Sequence, residues 1–351
     1  MRIGIDVGGT NTDAVILDGD RVVAACKSPT TEDVSSGISA VLSAVLGESC
    51  VAVSAIDAVM IGTTHFTNAV IERRRLLQVA AVRIGLPATK GVPPMTDWPR
   101  DLADVLGRHC YMLHGGHEFD GREIAPLDEA GLQEVARAIN AKGLRSAAIT
   151  SVFSPVTAVM ELRAAEILRT ECPGIALSLS HEIGRVGFLE RENAAIMNAC
   201  LADLSKKVVD SFRSALRQKG IVAPFFISQN DGTLMTPEHV ESYPVLTFAS
   251  GPTNSTRLEV LEALDRKEEA QAFRWSCFES TPDKPHEEFS GDASTYRVST
   301  VSIDRKTLDL EALRPFFTQE ALRDAVRGHL GEFGYRRTIS GVVYENQENS
   351  K

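Results

Sequence analysis

The sequence predicts an α/β domain over about residues 1–250, on three observations. Short apolar runs alternate with amphipathic stretches, as they do where helices cover a sheet. The first two apolar runs flank a glycine turn too short to hold a helix, so the domain is expected to open with a hairpin. Glycines and a proline bound several amphipathic stretches, as helix ends require.

The first half of this domain is predicted to be rich in strands. Apolar and β-branched residues dominate the strand candidates, and apolar residues three and four apart mark the helix candidates. Gly47 is expected to end the first helix. The predicted order is strands at 3–7, 14–17 and 21–25, a helix at 35–46, a strand at 58–62, a helix at 68–75 and a strand at 79–84.

Helices carry more of the second half. Pro126 and Asp128 indicate the start of an amphipathic helix, and Gly143 indicates its end. The predicted order is a helix at 128–142, a strand at 146–153, a helix at 159–169, a strand at 174–179, one long helix at 189–219 and a strand at 225–228. After residue 257 the sequence becomes rich in proline, serine and charged residues. One helix is predicted there, at 318–331.

Composition narrows the function classes. Lys and Arg number 37 against 47 Asp and Glu, and this net charge of -10 argues against nucleic acid as a partner. The 6 cysteines are widely spaced without a C-x-x-C pair, which indicates reduced thiols rather than disulfides or structural zinc. No run approaches the roughly 20 apolar residues of a membrane span, and no signal peptide is recognisable. A cytoplasmic protein with no membrane contact is expected.

The strongest candidate site is the turn at residues 6–13, DVGGTNTD. Adjacent glycines let backbone amides approach a phosphate, threonines add hydroxyls, and flanking carboxylates suit a hydrated Mg²⁺ or a water. An ordinary hairpin turn is the alternative. The candidates are Gly8, Gly9, Thr10 and Thr12 for phosphate, and Asp6 and Asp13 for the metal or water.

Three further segments carry candidate residues. Gly62-Thr63-Thr64 ends a strand before a helix, which suits an anionic or carbonyl ligand, although a threonine N-cap explains it too. Residues 180–194 place dense charge at a helix start, which is more typical of a solvated first turn. Residues 229–235 read locally as a turn whose Asn230 or Asp231 could lie beside phosphates.

Three histidines, His109, His114 and His117, lie near Glu118 and Asp120. Their spacing is irregular, and the glycine pair at 115–116 indicates a loop rather than a helix that displays ligands. Exposed or hydrogen-bonded histidines are therefore favoured over a metal site.

Taken together, six segments in this order resemble the hydantoinase A/5-oxoprolinase family over about residues 1–257. They are DVGGTNTDAV, GTTHFTNAVIERR, GGHEFDG, SHEIGRVGFLERENAAIMNACL, SQNDGTLM and SGPTNS. The resemblance implies an N-terminal family domain at 1–185, the start of the main domain at 186–257 and an unassigned tail at 258–351.

The resemblance also implies an actin-like ATPase fold, related to ribonuclease H, that uses ATP and Mg²⁺ to open a cyclic amide such as a hydantoin or 5-oxoproline. An unstrained amide is a poor electrophile, and phosphorylation of its oxygen creates a leaving group. A B-type subunit, or a second copy of the chain, is the implied partner. By resemblance the catalytic candidates are Asp6, Asp13, Glu182 and Arg191, the nucleotide contacts Gly8, Gly9, Thr10, Thr12, Asn230 and Asp231, and the substrate contacts Thr63, Thr64 and Asn68.

The tail departs from the family pattern. Family members continue past SGPTNS into a second glycine turn of the D-x-G-G-T type, and no such turn occurs in residues 258–351. We therefore expect a chain that lacks the complete second half of the actin-like fold, and a one-walled cleft that binds ATP poorly.

Two alternatives stay open. The first is a catalytically inactive remnant or regulatory subunit that binds a B-type partner, with the apolar helix at 194–216 exposed for that purpose. The second is a sugar kinase, which the glycine turn would also fit, but such kinases carry a cysteine-rich zinc loop that this sequence lacks.

Overall fold

A computed structural model describes residues 1–250, apart from Asp20, Glu32, Asp33 and Asp97, and the backbone of residues 335–338 and 341–346. The residues up to 250 belong to one compact unit, and the two short late strands belong to a second.

The strands are β1 (Arg2–Val7), β2 (Asn11–Asp18), β3 (Arg21–Pro29), β4 (Ala58–Thr63), β5 (Val79–Leu86), β6 (His109–His114), β7 (Ser146–Ser151), β8 (Ala176–Leu179), β9 (Phe225–Ser228), β10 (Leu234–Met235), β11 (Tyr335–Thr338) and β12 (Gly341–Asn346). The helices are α1 (Val34–Ser49), α2 (His65–Ile71), α3 (Arg100–Val105), α4 (Glu129–Lys142), α5 (Val159–Glu171), α6 (Ser180–Ile183), α7 (Phe188–Cys200), α8 (Ala202–Gln218) and α9 (Pro237–Ser242).

The first sheet has the strand order β10-β9-β4-β1-β2-β3. The predicted opening hairpin is confirmed, because β1 and β2 pair antiparallel around the glycine turn and β3 continues antiparallel to β2. β4 runs parallel to β1, and β9 runs parallel to β4. The carboxyl ends of β1, β4 and β9 therefore meet at one edge of the sheet.

The second sheet is wholly parallel, with the order β6-β5-β7-β8. The chain steps from β5 to β6 on one side and then crosses to β7 on the other side of β5. This reversal is the arrangement that opens a crevice at the carboxyl edge of a parallel sheet. The turns that follow β5, β6, β7 and β8 therefore all leave the sheet at the same edge.

The buried apolar residues form two cores: the first packs on the first sheet and on one face of β5 and β7, and the second packs on the other face of the second sheet. α8 presents one stripe of apolar residues to the first core, at Leu204, Val208, Phe212 and Ala215, the three-and-four spacing that an amphipathic helix requires. α4 and α5 contribute in the same way to the core of the second sheet. The expectation that the apolar stretch 194–216 is exposed for a partner is therefore wrong, because its apolar residues lie in the first core.

The end signals of α4 are confirmed. The Asp128 carboxylate accepts a hydrogen bond from the Gly131 amide at 2.8 Å, which satisfies a backbone donor that the helix itself leaves free. Gly143 ends the helix at a φ of 63°, a left-handed conformation that glycine adopts without a side-chain penalty.

Several element bounds differ from the predictions. The single helix predicted at 189–219 is two helices, α7 and α8, which break at Leu201. The Cys200 carbonyl accepts from the Leu77 amide at 2.9 Å, so a tertiary contact takes the place of a helical bond. Gly47 lies inside α1, and α2 begins earlier and ends earlier than the stretch 68–75. The histidines at 109 and 114 lie on a strand, β6, that was not predicted.

In the second unit, β11 pairs antiparallel with β12, a hairpin where no strand was predicted. The helix predicted at 318–331 lies outside the described residues. Among the helices that the structure describes, none combines the length and the apolar character that crossing a membrane requires.

Candidate functional site

A row of four residues crosses the first sheet near its carboxyl edge. Asp6 on β1 stands opposite Gly62 on β4 and opposite Asp13 on β2, and Asp13 in turn stands opposite Lys27 on β3. Directly opposed residues on neighbouring strands project to the same face of a sheet. The two predicted metal carboxylates are therefore neighbours, with glycine on one side and a lysine on the other.

The electrostatics of this row favour a bound cation. Desolvation by the surrounding protein raises the pKa of Asp6, the nearby Asp13 carboxylate raises it further, and Lys27 opposes both. Asp6 keeps solvent access in spite of that desolvation, which places its carboxylate in a concave part of the surface. The Lys27 ammonium lies 3.4 Å from Asp13 and partly neutralises the pair. A divalent cation would relieve the same repulsion more completely.

The glycine turn leaves two backbone donors exposed. Gly9 and Thr10 are solvent-accessible, and in residues 1–250 as described nothing accepts from their amides. Neither Gly8 nor Gly9 has a positive φ, so close approach is what requires glycine here. A Cβ on Gly9 would lie 3.3 Å from the Asn68 Nδ2 atom. The turn thus offers free amides beside the acidic pair, which is what a phosphate bridged by Mg²⁺ needs.

Thr12, a predicted phosphate contact, lies beneath the glycine turn. Its side chain is fully buried, and its hydroxyl lies 3.0 Å from the hydroxyl of Thr30. Thr30 in turn donates from its hydroxyl to the Gly8 carbonyl at 2.9 Å and from its amide to the Thr10 carbonyl at 2.8 Å. Thr12 therefore supports the glycine turn from beneath and presents no hydroxyl to a ligand in this arrangement.

The segment at 62–68 meets the glycine turn, a proximity that the sequence analysis did not predict. The Thr64 amide donates to the Val7 carbonyl at 3.2 Å, and Asn68 Nδ2 donates to the Thr64 hydroxyl at 3.2 Å. Thr64 is exposed, whereas Thr63 is buried and its hydroxyl accepts from the His65 amide at 3.3 Å. α2 has only 7 residues, so its dipole is weak, and the polar groups here with access to solvent are Thr64 and Asn68.

The turn at 229–233 follows β9 and lies at the same edge of the sheet. The Asp231 carboxylate accepts from the Thr233 amide at 2.9 Å and from its hydroxyl at 2.6 Å, so it stabilises its own turn. The Asn230 side chain is exposed. Its backbone amide donates to the Leu246 carbonyl at 2.7 Å. Asn230 is thus the freer of the two predicted phosphate neighbours.

Glu182 lies on α6 and is tied to the 243–247 segment. Its carboxylate accepts from the Tyr243 hydroxyl at 3.0 Å. The segment that begins at Tyr243 also accepts a hydrogen bond from the Asn230 backbone amide, and it packs against α2. Glu182 is therefore connected to the first-sheet edge through this segment and remains exposed.

Arg191 lies on α7 and is 1% exposed. Its guanidinium donates to the Ser180 hydroxyl at 2.8 Å, to the Ser151 carbonyl at 2.7 Å, and to the carbonyl of Arg185 at 2.9 Å. These bonds tie α7 to the carboxyl edge of the second sheet and to the loop after α6. In this arrangement the Arg191 guanidinium is buried and ties these elements together, and its catalytic role, inferred from the resemblance, stays a prediction.

Sequence reasoning missed three residues that shape this region. Lys27 faces Asp13 only because β3 pairs with β2, and Thr30 reaches the turn through the same pairing. Glu161, which is fully buried on α5, belongs to a cluster at the second sheet. Extending the third predicted strand past residue 25 would have revealed the first two, and nothing local marks Glu161.

The residues fit a nucleotide with Mg²⁺ better than a permanent metal centre. Mg²⁺ takes one or two protein carboxylates and completes its shell with water and phosphate oxygens. No group of three or more His, Cys, Asp or Glu residues that could hold a metal occurs among the residues described. Asp6 and Asp13 with the free amides of Gly9 and Thr10 match the first pattern.

Comparisons with known proteins place these features in a family. The model described as hydantoinase/oxoprolinase N-terminal region matches residues 2–172, and the model described as hydantoinase/oxoprolinase matches residues 191–270. The second match reaches past residue 257, where the resemblance was expected to end.

The curated relatives include the caprolactamase subunit alpha of Pseudomonas jessenii, 25% identical, with 72% of this chain and 39% of that protein covered. The acetophenone carboxylase gamma subunit of Aromatoleum aromaticum is 28% identical, with 66% and 35% covered. An uncharacterized protein of Methanocaldococcus jannaschii is 27% identical, with 72% and 38% covered. The chain thus spans less than half the length of these relatives.

Two solved structures share the fold. The nucleotide-free structure of acetone carboxylase has a TM-score of 0.63 at 19% identity, and the ATP-dependent caprolactamase from Pseudomonas jessenii has a TM-score of 0.62 at 22% identity. Each alignment covers 76% of this chain and 41% of the other. These likenesses confirm the predicted actin-like α/β fold. The chain therefore belongs to the hydantoinase/oxoprolinase family, of which it matches the N-terminal part.

Proposed function

We propose that this chain is the A-type chain of an ATP-dependent enzyme that opens a cyclic amide, such as a hydantoin, 5-oxoproline or another lactam. The observation that carries the proposal is the Asp6–Asp13 pair beside the exposed amides of Gly9 and Thr10. Support comes from the family and from relatives whose names include a caprolactamase subunit and an ATP-dependent caprolactamase.

The proposed chemistry divides between the nucleotide and the chain. Bound Mg²⁺-ATP supplies the phosphoryl group that converts an amide oxygen into a leaving group. In this proposal Asp6 and Asp13 hold Mg²⁺, and the amides of Gly9 and Thr10 donate to phosphate oxygens. The acidic pair alone would repel a polyphosphate, so nucleotide binding at this edge should require the divalent cation.

The remaining exposed candidates border this centre. Thr64 and Asn68 form one side, where the Asn68 amide approaches Gly9, and they suit a carbonyl or phosphate oxygen. Asn230 forms the other side, across β4. Glu182 reaches the same region through Tyr243 and is the exposed carboxylate available to orient a water or a substrate N–H.

A second candidate function is a regulatory chain without activity of its own, which binds a B-type subunit or a second copy. The observation that favours it is the naming of two relatives as subunits, alpha of caprolactamase and gamma of acetophenone carboxylase. Co-purification with a B-type chain, together with no nucleotide binding by the folded protein, would select this candidate over the first.

Isothermal titration of Mg²⁺-ATP into the purified full chain tests the first proposal. We expect binding that disappears in Asp6→Ala and when Mg²⁺ is chelated. The matched control is Asp18→Ala, because Asp18 is an exposed carboxylate at the far end of β2. Heat release that survives in Asp6→Ala, or no heat release from folded wild type, would reject a nucleotide site at the glycine turn.

A further inference from the structure

A buried carboxylate organises the carboxyl edge of the second sheet. Glu161 is fully buried on α5 and accepts four hydrogen bonds. The donors are the Ser151 amide at 2.8 Å, the Ser180 hydroxyl at 2.5 Å, and the His181 backbone amide and ring Nδ1 at 3.1 and 2.6 Å. The four bonds come from β7 and α6, so this side chain fixes the turns after β7 and β8 together.

The same bonds determine which ring nitrogen of His181 is available. Burial works to raise the pKa of Glu161, but the hydrogen bonds from His181 and Ser180 hold it below its ordinary value. An ionised carboxylate only accepts hydrogen bonds, so Nδ1 of a neutral His181 must carry the proton. Nε2 then has a free lone pair, and within residues 1–250 as described no group bonds to it. The side chain is 17% exposed, so a ligand can reach the ring.

The surroundings contain further unused polar atoms. The Ser151 hydroxyl and the His117 Nδ1 atom are buried and lack a partner among the residues described. Ser151 ends β7, and His117 follows β6, with its amide donating to the Val152 carbonyl at 3.1 Å. Buried polar groups are nearly always paired with protein, water or ligand. Their position at the strand-order reversal is where parallel sheets bind small molecules.

Two loops that hydrogen-bond to the cluster around Glu161 and Arg191 each carry an exposed apolar residue. The Ser154 hydroxyl lies 3.3 Å from the Ser180 hydroxyl, and Val156, two residues further, is 52% exposed. The Val186 carbonyl accepts from the Arg191 guanidinium at 3.2 Å, and its side chain is 61% exposed. A polar acceptor on α6, together with exposed apolar side chains on the two loops that bond to this cluster, suits a small ring with a hydrocarbon part and an N–H.

α6 joins this cluster to the edge of the first sheet. His181 bonds to Glu161, the next residue bonds to Tyr243, and Ile183 packs against the first core. In the segment that begins at Tyr243, the Leu246 carbonyl accepts from the Asn230 backbone amide. A ligand at His181 would therefore lie beside the segment that borders the proposed nucleotide site.

We propose that His181, positioned by Glu161, binds the ring N–H of a small cyclic amide through its Nε2 atom. The ligand class rests on the proposed function. The nitrogen accepts because Glu161 fixes the proton on Nδ1, and Val156 and Val186 provide apolar surface for the ring carbons. A phosphate or carboxylate is a poor alternative, because the free lone pair of a neutral imidazole repels an anion and Glu161 already balances the charge of a protonated one.

The test is an NMR titration of the isotope-labelled full chain, observing the ring nitrogens of His181 without nucleotide. The bond to Glu161 raises the pKa of His181, so the titration is run at a pH where the ring-nitrogen shifts show the neutral form. The probes are 2-piperidone, hydantoin and 5-oxoproline, with N-methyl-2-piperidone as the matched ligand that lacks the N–H. We expect at least one N–H compound to shift His181 Nε2, and the N-methyl compound to leave it unmoved. His181→Gln should abolish the response, and His109→Gln should retain it, because His109 begins β6 at the opposite edge.

The outcomes separate the two proposals. Equal shifts from the N-methyl compound, or no shift at the solubility limit in a folded protein, overturn the role of His181. Shifts confined to the glycine turn also overturn it, while the cyclic amide as substrate class survives. Failure of Mg²⁺-ATP binding in the separate titration rejects the proposed function and leaves a positive His181 result standing. If His181→Gln does not fold, the comparison of the two piperidones on wild type decides alone.

Discussion

At the residue scale, Gly62 determines the space that the Asp6 carboxylate occupies. A Cβ at this position would lie 2.9 Å from Asp6 Oδ1, a separation that forces the carboxylate to move. We predict that Gly62→Ala weakens Mg²⁺-ATP binding about tenfold, or about 1.4 kcal/mol, because one metal ligand is displaced. Calorimetric titration of the variant beside wild type measures this change.

The matched control for Gly62 is Gly47, inside α1. Nothing lies within 4 Å of a Cβ built there, so alanine fits without displacement. Alanine in a helix interior is favoured over glycine by roughly 0.5–1 kcal/mol, so Gly47→Ala should raise the free energy of unfolding and leave nucleotide affinity unchanged. Equal affinity of both variants and wild type would mean that Asp6 is not a metal ligand.

The Glu161–His181 pair should make stability depend on pH with a defined sign. The bond to Glu161 raises the pKa of His181 above its ordinary 6.5, and Glu161 lies below its ordinary 4.5. The contribution of His181 is fully present below 6.5 and is lost as pH rises through its folded pKa. The contribution of Glu161 is present above 4.5 and is lost as pH falls through its own folded pKa. Glu182 and Arg191 also face His181, with opposing effects on its pKa.

Urea unfolding across pH checks this sign. The stability difference between wild type and His181→Gln should be largest between pH 4.5 and 6.5 and should shrink as pH rises. His109 provides the opposite case, since burial and Lys142 lower its pKa. The difference between wild type and His109→Gln should therefore grow in favour of wild type as pH rises. Parallel pH curves for the two variants would contradict the assignment of the His181–Glu161 pair.

The sequence marked out the segments of the candidate site one by one, and the order of the strands decides which of them meet. The turn at 6–13 and the segment at 62–68 meet because β1 and β4 are adjacent parallel strands. The roles predicted for Thr12 and Arg191 stay predictions, because both residue types suit a ligand whereas both side chains are buried here. A strand position and a helix face decide that burial, and neither is visible in a motif.

At the element scale, a buried ion pair joins the second sheet to α7. Arg83, in the middle of the apolar strand β5, donates from Nε to Glu192 at 2.7 Å, and a second guanidinium nitrogen also contacts this carboxylate. Both side chains are almost wholly buried. Arg83 donates to the Val92 carbonyl as well, so one cation holds a strand, a helix and a loop.

Removing one member of this pair should be costly. Glu192→Ala leaves a buried guanidinium without its charge partner, and we predict a loss of about 3–5 kcal/mol in the free energy of unfolding. The double replacement Arg83→Met with Glu192→Leu should lose less, since no charge is stranded. Arg137→Ala, which breaks an exposed pair with Glu134, should cost under about 1 kcal/mol. Chemical unfolding of the three variants ranks them, and equal losses would contradict the argument.

Element prediction was sound where local signals and tertiary contacts agree. Asp128 and Gly143 bound α4 as predicted, because capping is a local interaction. The long helix predicted at 189–219 was wrong, since apolar periodicity continues through Leu201 while the Cys200 carbonyl turns to Leu77. That contact comes from a residue more than 100 positions earlier, and no window along the chain contains both.

At the scale of the whole molecule, residues 1–250 supply both sheets and both apolar cores. The chain spans 35–39% of the length of its curated relatives. Whether residues 1–250 suffice for the proposed nucleotide site is therefore a question about the whole molecule. The predicted match to the family was visible from ordered motifs. The extension of this match to residue 270 was not predicted, because the residues after 257 carry no motif of the family.

A fragment of residues 1–255 tests whether the described unit is sufficient for the proposed site. The proposed ligands of the nucleotide and Mg²⁺ all come from β1, β2 and the turns after β4 and β9, within that unit. We therefore predict that the fragment unfolds cooperatively and binds Mg²⁺-ATP with the affinity of the full chain. Circular dichroism during urea unfolding and calorimetric titration provide the two measurements, with Asp6→Ala in both backgrounds as the control. A folded fragment that loses binding seen in the full chain would show that residues after 255 complete the site. Absence of binding in both would support the one-walled cleft as the reason that the glycine turn cannot hold a nucleotide by itself.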